Sequence, residues 1–281
     1  MKRLLRRILR LIVPEGLKAR YRARRFAARG SSPPIPLEFA ETSDGLIAHV
    51  NRTFNVRITA DEQANLRYHL EENGSSIDEM TGFLVAAKNA RLFWDVGAHK
   101  GVFALFFCLS GAEKRAVAFE PSAELLEHAI ELGALNGLNG RIEWSSSAIG
   151  NRVGRSRFAV QNTGFLTVAC EDEATVEVPL TTLDAEWKAR GAAPDLLKID
   201  VEGFEWEALQ GARALLGTVR PMIFLELHLH GLEQRRIAPR KLVDFLGGLG
   251  YAFQTPLGKP LRPRDIYDSV DPIVRFVAQK A

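Results

Sequence analysis

Residues 91–281 carry the pattern of an α/β domain, a parallel sheet with helices on both faces, and three observations predict it. Apolar runs of five to seven residues alternate with helical stretches throughout this span. The first run, LFWDV at 92–96, passes straight into a glycine-bounded turn and an apolar helix. Acidic residues stand at the ends of several runs, notably Asp95, Glu120 and Asp200. Strand–helix alternation of this kind buries both faces of a parallel sheet. Right-handed crossovers bring the strand C-termini to one edge, where ligands bind in the crevice at the topological switch point.

The elements follow in order. LFWDV is a buried strand, and a helix follows around 102–110. AVAFE (116–120) is the second strand, and Pro121-Ser122 opens a helix to about Leu135. IEWSSSA (142–148) is a third strand, and segments near 153–160 and 175–180 read as an antiparallel pair. LLKID (196–200) is the next buried strand, followed by a helix over 204–215. MIFLELH (222–228) is the fifth core strand, Pro239–Leu246 is helical, and edge strands near 251–254 and 273–278 close the chain. Upstream, 37–90 is an extension. It has a short strand at 53–58, a helix from Asp61 to Glu72, and a second helix opened by a capping box of Ser76 and Glu79.

Residues 1–36 are different in kind. MKRLLRRILRLIV (1–13) sets leucines and isoleucines on one helical face and five bases on the other, and Pro14 stops it. It is too short and too charged to span a bilayer, which needs about 20 apolar residues, and it lacks the continuous apolar core of a signal peptide. GSSPPIP (30–36) is a linker. Residues 1–29 hold eleven Lys/Arg against one acid, which leaves twenty-six bases against thirty-three acids in the rest. An acidic body therefore wears a basic amphipathic helix, which suits peripheral contact with an anionic membrane surface. The two cysteines, Cys108 and Cys170, make no disulfide framework and no metal spacing, and the chain reads as cytoplasmic.

The chemistry collects after the strands. Asp95-Val96-Gly97-Ala98-His99-Lys100-Gly101 is a turn whose glycines allow close backbone approach to a ligand. Glu120, nineteen residues after Gly101, stands where an acid accepts hydrogen bonds from ribose hydroxyls. The dinucleotide fingerprint GxGxxG is missing, and Asp95 is a poor neighbour for a phosphate. The turn suits a nucleoside cofactor with cationic groups, such as S-adenosylmethionine. Asp184 in TLD reads as a helix cap.

FWDVGAHKG, AFEP (118–121), TLD (182–184), KIDVEGFE (198–205) and FLELH (224–228), in that order, resemble the FkbM methyltransferases over about residues 90–230. The resemblance implies a Rossmann-like, seven-stranded class I methyltransferase sheet, S-adenosylmethionine as cofactor, and O-methylation of a sugar or other small-metabolite hydroxyl. It implies that Asp95, Gly97, Ala98, His99 and Gly101 line the methionine and ribose side, with His99 where the family usually has Asn. It places Glu120 and Pro121 at ribose and adenine, Ser147 and Ala148 at adenine, and Asp200, Glu202 and Gly203 at the methyl-transfer site. A core-facing role fits Ala148 equally well.

His228 and Glu226 share one strand face. An imidazole there is the first candidate for accepting the acceptor's proton, with Asp200 or Glu202 as orienter or alternative base. No metal-ligand spacing is present, and no metal is expected. The loop Gln161–Ala174, with Asn162, Thr163 and Gly164, is a candidate acceptor-recognition element, for a small molecule or a glycan. Three rivals stand beside this reading. A nicotinamide oxidoreductase lacks GxGxxG here, and no tyrosine begins a Tyr-x-x-x-Lys pair. A nucleic-acid methyltransferase lacks the Pro-Pro-Tyr-type turn that stacks a flipped base. A non-catalytic cofactor-binding scaffold tethered by the basic tail is separated only by activity.

Overall fold

A computed structural model describes residues 32–43, 45–160, 166–167 and 175–281. The expected helix at 1–13 and most of the 161–174 loop, including Asn162, Thr163 and Gly164, lie outside the described residues.

Strands β1 (Leu37–Thr42), β2 (Gly45–Val50) and β3 (Phe54–Ile58) form an antiparallel meander. Helix α1 (Glu62–Arg67) runs into a π-helical turn, Tyr68–Glu72, and α2 (Gly74–Ala87) follows. The alternating domain then begins with β4 (Leu92–Val96), α3 (Val102–Leu109), β5 (Arg115–Phe119), α4 (Ala123–Leu135) and β6 (Ile142–Ser145). A side sheet holds β7 (Ala148–Ile149), β8 (Gly154–Val160), β9 (Leu166–Thr167) and β10 (Thr175–Thr181). The chain returns through α5 (Leu183–Arg190), β11 (Leu196–Ile199), α6 (Glu205–Gln210), α7 (Arg213–Thr218) and β12 (Met222–His228). It ends with α8 (Leu229–Gln234), α9 (Pro239–Gly248), β13 (Tyr251–Gln254), β14 (Pro260–Leu261), α10 (Pro263–Tyr267) and β15 (Ile273–Lys280).

The central sheet runs β14-β13-β15-β12-β11-β4-β5-β6. Strands β6, β5, β4, β11 and β12 are mutually parallel. This is the expected seven-stranded class I sheet, with the two-residue β14 added at one edge. The order reverses at β4, so the ends of β4, β5 and β11 open into the crevice beside β12. Among the described residues, no helix is long and apolar enough to cross a membrane.

Several elements differ from expectation. Helix α2 is capped by Asn73, whose side chain accepts the Ser76 N–H, because Glu79 is buried and ion-paired to Arg275 instead of reaching back to a cap. The expected strand 142–148 breaks at Ser146, so that Ala148 joins the side sheet opposite Leu180. The expected helix 204–215 is two helices. Gly211 lies so close to the Gly150 carbonyl that a Cβ there would sit 1.9 Å from the oxygen. Asp184 is a cap, but for α7 rather than its own helix, accepting the N–H groups of Ala214 and Leu215. Strand β15 is not an edge, since it lies antiparallel between β12 and β13.

The extension shares its core with the domain. Phe83 on α2 is fully buried, and its ring meets those of Phe93, Phe103 and Phe224 at centroid distances of 4.9, 5.0 and 5.6 Å. Phe93 and Phe224 belong to central strands, so α2 packs directly on the sheet. The change of sequence pattern near residue 90 therefore separates two parts that share one hydrophobic cluster.

Candidate active site

The strand ends open on a cavity of about 430 Å³. Its lining includes Asp95, Gly97, Ala98 and His99 from the β4 turn, and Glu120 and Pro121 from the end of β5. Ser147 and Ala148 line it after β6, Asp200 and Glu202 after β11, and Glu226 and His228 from β12. Ala148 serves both readings, lining the cavity and packing in the small cluster with Phe158, Val178 and Leu180. Gly101 does not reach the cavity. It caps α3 with φ +74°, and a Cβ there would meet the Trp144 ring at 2.6 Å.

The turn is shaped by backbone sterics. Gly97 has φ +78°, and an added Cβ would lie 1.8 Å from the Asp200 carbonyl oxygen. The glycine, which lines the cavity, therefore lets the β4 turn pass against the end of β11. His99 has φ +52°. Asn and His are among the non-glycine residues that enter this left-handed region most readily, so the backbone accepts His99 here. Glu202 is also left-handed at φ +49°. The next residue, Gly203, packs so closely on Gly231 that a Cβ would sit 2.9 Å from its Cα. Such a conformation costs roughly 1–3 kcal/mol, and strain of this kind clusters at functional sites.

Two carboxylates fit a nucleoside cofactor with a cationic tail. Asp95 is buried, and neither of its oxygens has a hydrogen-bond partner among the described residues. Burial pushes its pKa up to about 7 against the pull of Lys198. A buried acceptor of this kind is stabilised by a hydrogen-bond donor, and a cationic ligand group would also favour its ionised form. Glu120 is held by two backbone N–H groups, from His99 at 2.8 Å to Oε2 and from Ser122 at 2.9 Å to Oε1. Both oxygens keep lone pairs for hydroxyl donors. Burial raises Glu120 to about 7, while the two backbone bonds oppose the shift.

The other end of the cavity is an ion-pair network. Lys198 Nζ donates to Asp200 Oδ2 at 2.7 Å, and Arg275 binds Glu226. His228 Nε2 lies 3.3 Å from Glu202, 3.7 Å from Glu226 and 3.8 Å from Asp200, while Nδ1 meets the fully buried Glu205 at 2.9 Å. Burial disfavours the imidazolium, but the Glu205 hydrogen bond and the Asp200 and Glu202 charges outweigh it and hold His228 at about 9. Burial likewise opposes ionisation of Asp200, but Lys198 and His228 hold it at about 2. Burial raises Glu202, although His228 pulls the other way. His228 is therefore charged at neutral pH, unlike the neutral imidazole that the sequence leads one to expect. Asp200, Glu226 and His228 bring donor atoms within 4.8 Å of one another, the spacing of a metal site. Lys198 and Arg275 already engage both carboxylates, which favours the ion-pair reading.

Several cavity residues carry no signal in the motifs: Asn65, Tyr68 and His69 from the extension, and Arg275 from β15. Only the pattern of a helix was legible at 61–72.

The fold is the class I methyltransferase sheet, with the cavity at its strand ends. The methyltransferase FkbM domain model matches residues 95–253, more than half of the chain, and the chain belongs to this family. S-adenosylmethionine is accordingly its cofactor. Among solved structures, FkbM methyltransferase from Methylobacillus flagellatus is similar at 17% identity and TM-score 0.44, covering 68% of this chain and 43% of that one. This chain thus spans less than half of that protein's length. An O-methyltransferase from Thermotoga maritima aligns at 15% identity and TM-score 0.43, over 87% of this chain and 77% of that one. Precorrin-6y C5,15-methyltransferase from Geobacter metallireducens aligns at 14% and 0.41, over 74% and 90%. No curated protein matches the chain.

Proposed function

We propose that the protein O-methylates a hydroxyl of a small metabolite, a sugar or a glycan, with residues 91–281 as the catalytic domain and Glu202 taking the hydroxyl proton. The observation that carries this reading is the juxtaposition, in one cavity, of the unpartnered Asp95 carboxylate with the Asp200–Glu202–His228 network. When bound, S-adenosylmethionine supplies an electrophilic methyl carbon. Asp95 and Glu120 would hold the cofactor by its ammonium and ribose groups. Asp200, ionised and paired to Lys198, keeps the network in register.

Glu202 is the base rather than His228, because its raised pKa and partial exposure give it proton affinity and access. The charged His228, 3.3 Å away, opposes the rise in the Glu202 pKa and stabilises negative charge developing on the acceptor oxygen. General-base assistance contributes about 10²–10⁴-fold. Incubation with tritiated S-adenosylmethionine and a panel of glycosides tests the reading. Label should enter an ether that resists mild base, and Glu202→Gln should lower turnover by about 10²–10⁴-fold with cofactor affinity retained. Label on nitrogen or carbon would overturn O-methylation. Cofactor binding with no transfer to any acceptor would favour the scaffold reading.

A further inference from the structure

The family match begins at residue 95, yet part of the cavity wall comes from upstream. Asn65 on α1 and Tyr68 and His69 on the π-helical turn line the same space as Asp200 and His228. The extension is fastened to the cofactor turn by a largely buried ion pair, Lys100 Nζ to Glu62 Oε1 at 3.2 Å, and Asn65 Nδ2 donates to the other Glu62 oxygen at 3.1 Å. π-Helical turns are rare and are found frequently at functional sites. Here the turn carries His69. Its ring stands edge-on to Tyr68 and Phe103 at centroid distances of 5.2 and 5.9 Å. Its Nδ1 is buried without a hydrogen-bond partner among the described residues.

We infer that Asn65, Tyr68 and His69 form the acceptor-recognition wall, with His69 hydrogen-bonding a hydroxyl of an uncharged, hydroxyl-bearing ring. The inference rests on the methyltransferase reading above and adds to it the site that holds the acceptor. Burial, reinforced by Lys198, His99 and Arg275, holds His69 down at about 3, so it stays neutral. A neutral imidazole offers one donor and one acceptor, the complement of a hydroxyl. The wall does not suit an anion. Lys100, Lys198, Arg275 and His228 line the cavity and are all ion-paired, and carboxylates face them. The aromatic edges beside His69 suit the apolar face of a saturated ring.

The test is saturation-transfer NMR on the full chain loaded with S-adenosylhomocysteine, using methyl α-mannopyranoside, methyl α-fucopyranoside and methyl α-rhamnopyranoside as probes. At least one glycoside should bind. His69→Ala and Asn65→Ala should each weaken it by about tenfold or more, and His69→Asn should restore part of the loss. Affinity for S-adenosylhomocysteine by calorimetry should stay within about twofold in every variant. Glycoside affinity unchanged in either folded variant overturns the wall, and Asn65→Ala keeps the test open if His69→Ala fails to fold. Equal losses of glycoside and cofactor affinity would assign the wall to the cofactor instead. No glycoside binding to cofactor-loaded parent protein would overturn the ligand class. Failure of the methyltransferase reading itself would show separately, as parent protein that does not bind S-adenosylhomocysteine, and would take this inference with it.

Discussion

His228 Nδ1 lies 2.9 Å from Glu205 Oε1, and Glu205 is fully buried. The same oxygen accepts the Gly203 N–H at 3.0 Å, so one carboxylate fixes both the imidazole and the strained loop before α6. The pair makes His228 basic, and the sign of its effect on stability follows. A folded-state pKa of about 9 against an ordinary 6.5 stabilises the fold fully below pH 6.5. That contribution, of order 3 kcal/mol, is lost as pH rises through 9. Glu226, held up at about 8 mainly by burial, acts in the same direction, because its ionisation is harder in the folded state. Urea unfolding at pH 6, 7.5 and 9.5 should show falling stability, and Glu205→Gln should flatten the fall. An NMR titration placing His228 at its ordinary value would contradict this account.

Asp95 should set a pH dependence on cofactor binding. Burial raises it to about 7 against Lys198 and a weak backbone interaction from Ala104. A cationic ligand group binds the ionised form, so affinity should rise by about tenfold per pH unit up to 7 and level off above it. Glu120, also near 7, adds to the slope. Calorimetry with S-adenosylmethionine from pH 5.5 to 8.5 measures this. Asp95→Asn should bind weakly and lose its share of the slope. A flat profile below pH 7 in the parent protein would remove Asp95 from the ammonium site.

Two left-handed glycines separate strain from contact. Gly137 has φ +67° with nothing within 4 Å of an added Cβ, whereas at Gly97 the Cβ would strike the Asp200 carbonyl. Gly137→Ala should therefore cost about 1–2 kcal/mol of conformational strain alone and leave cofactor affinity unchanged. Gly97→Ala should force the β4 and β11 ends apart and weaken cofactor binding by more than about tenfold. Melting curves and calorimetry on both variants decide, and equal effects would mean that the turn does not depend on this contact.

What was legible in the sequence is what depends on local pattern. LFWDV, LLKID and MIFLELH are short, apolar and flanked by turns, so their strands are found where expected, and the acids after them fall on one edge because the sheet is parallel. Non-local events were illegible. The break of 142–148 depends on pairing with Leu180, and the break after Gln210 depends on the passing Gly150 backbone. The charge on His228 depends on Glu205, which is near only because α6 packs against the end of β12. His69 carried no signal, since a histidine within a helical stretch gives no sign of the π-helical turn that aims it.

Residues 1–31 lie outside the described residues, but their sequence has a clear pattern. Residues 1–29 carry eleven bases and one acid, and 1–13 place six leucines and isoleucines opposite five of those bases. We propose that this segment binds an anionic membrane surface. Each base near such a surface contributes about 1 kcal/mol, and the apolar face adds burial at the headgroup boundary. The full chain should sediment with vesicles containing phosphatidylglycerol and be released by added salt, since Coulomb attraction is screened within about 8–10 Å near physiological ionic strength. A chain lacking residues 1–29 should remain in the supernatant while keeping its affinity for S-adenosylhomocysteine. Replacing Leu5, Ile8 and Ile12 by Ser should reduce binding with the charge intact, which distinguishes an embedded helix from a simple polycation. Equal sedimentation of the full and shortened chains would remove the membrane role and leave the segment to a contact with protein.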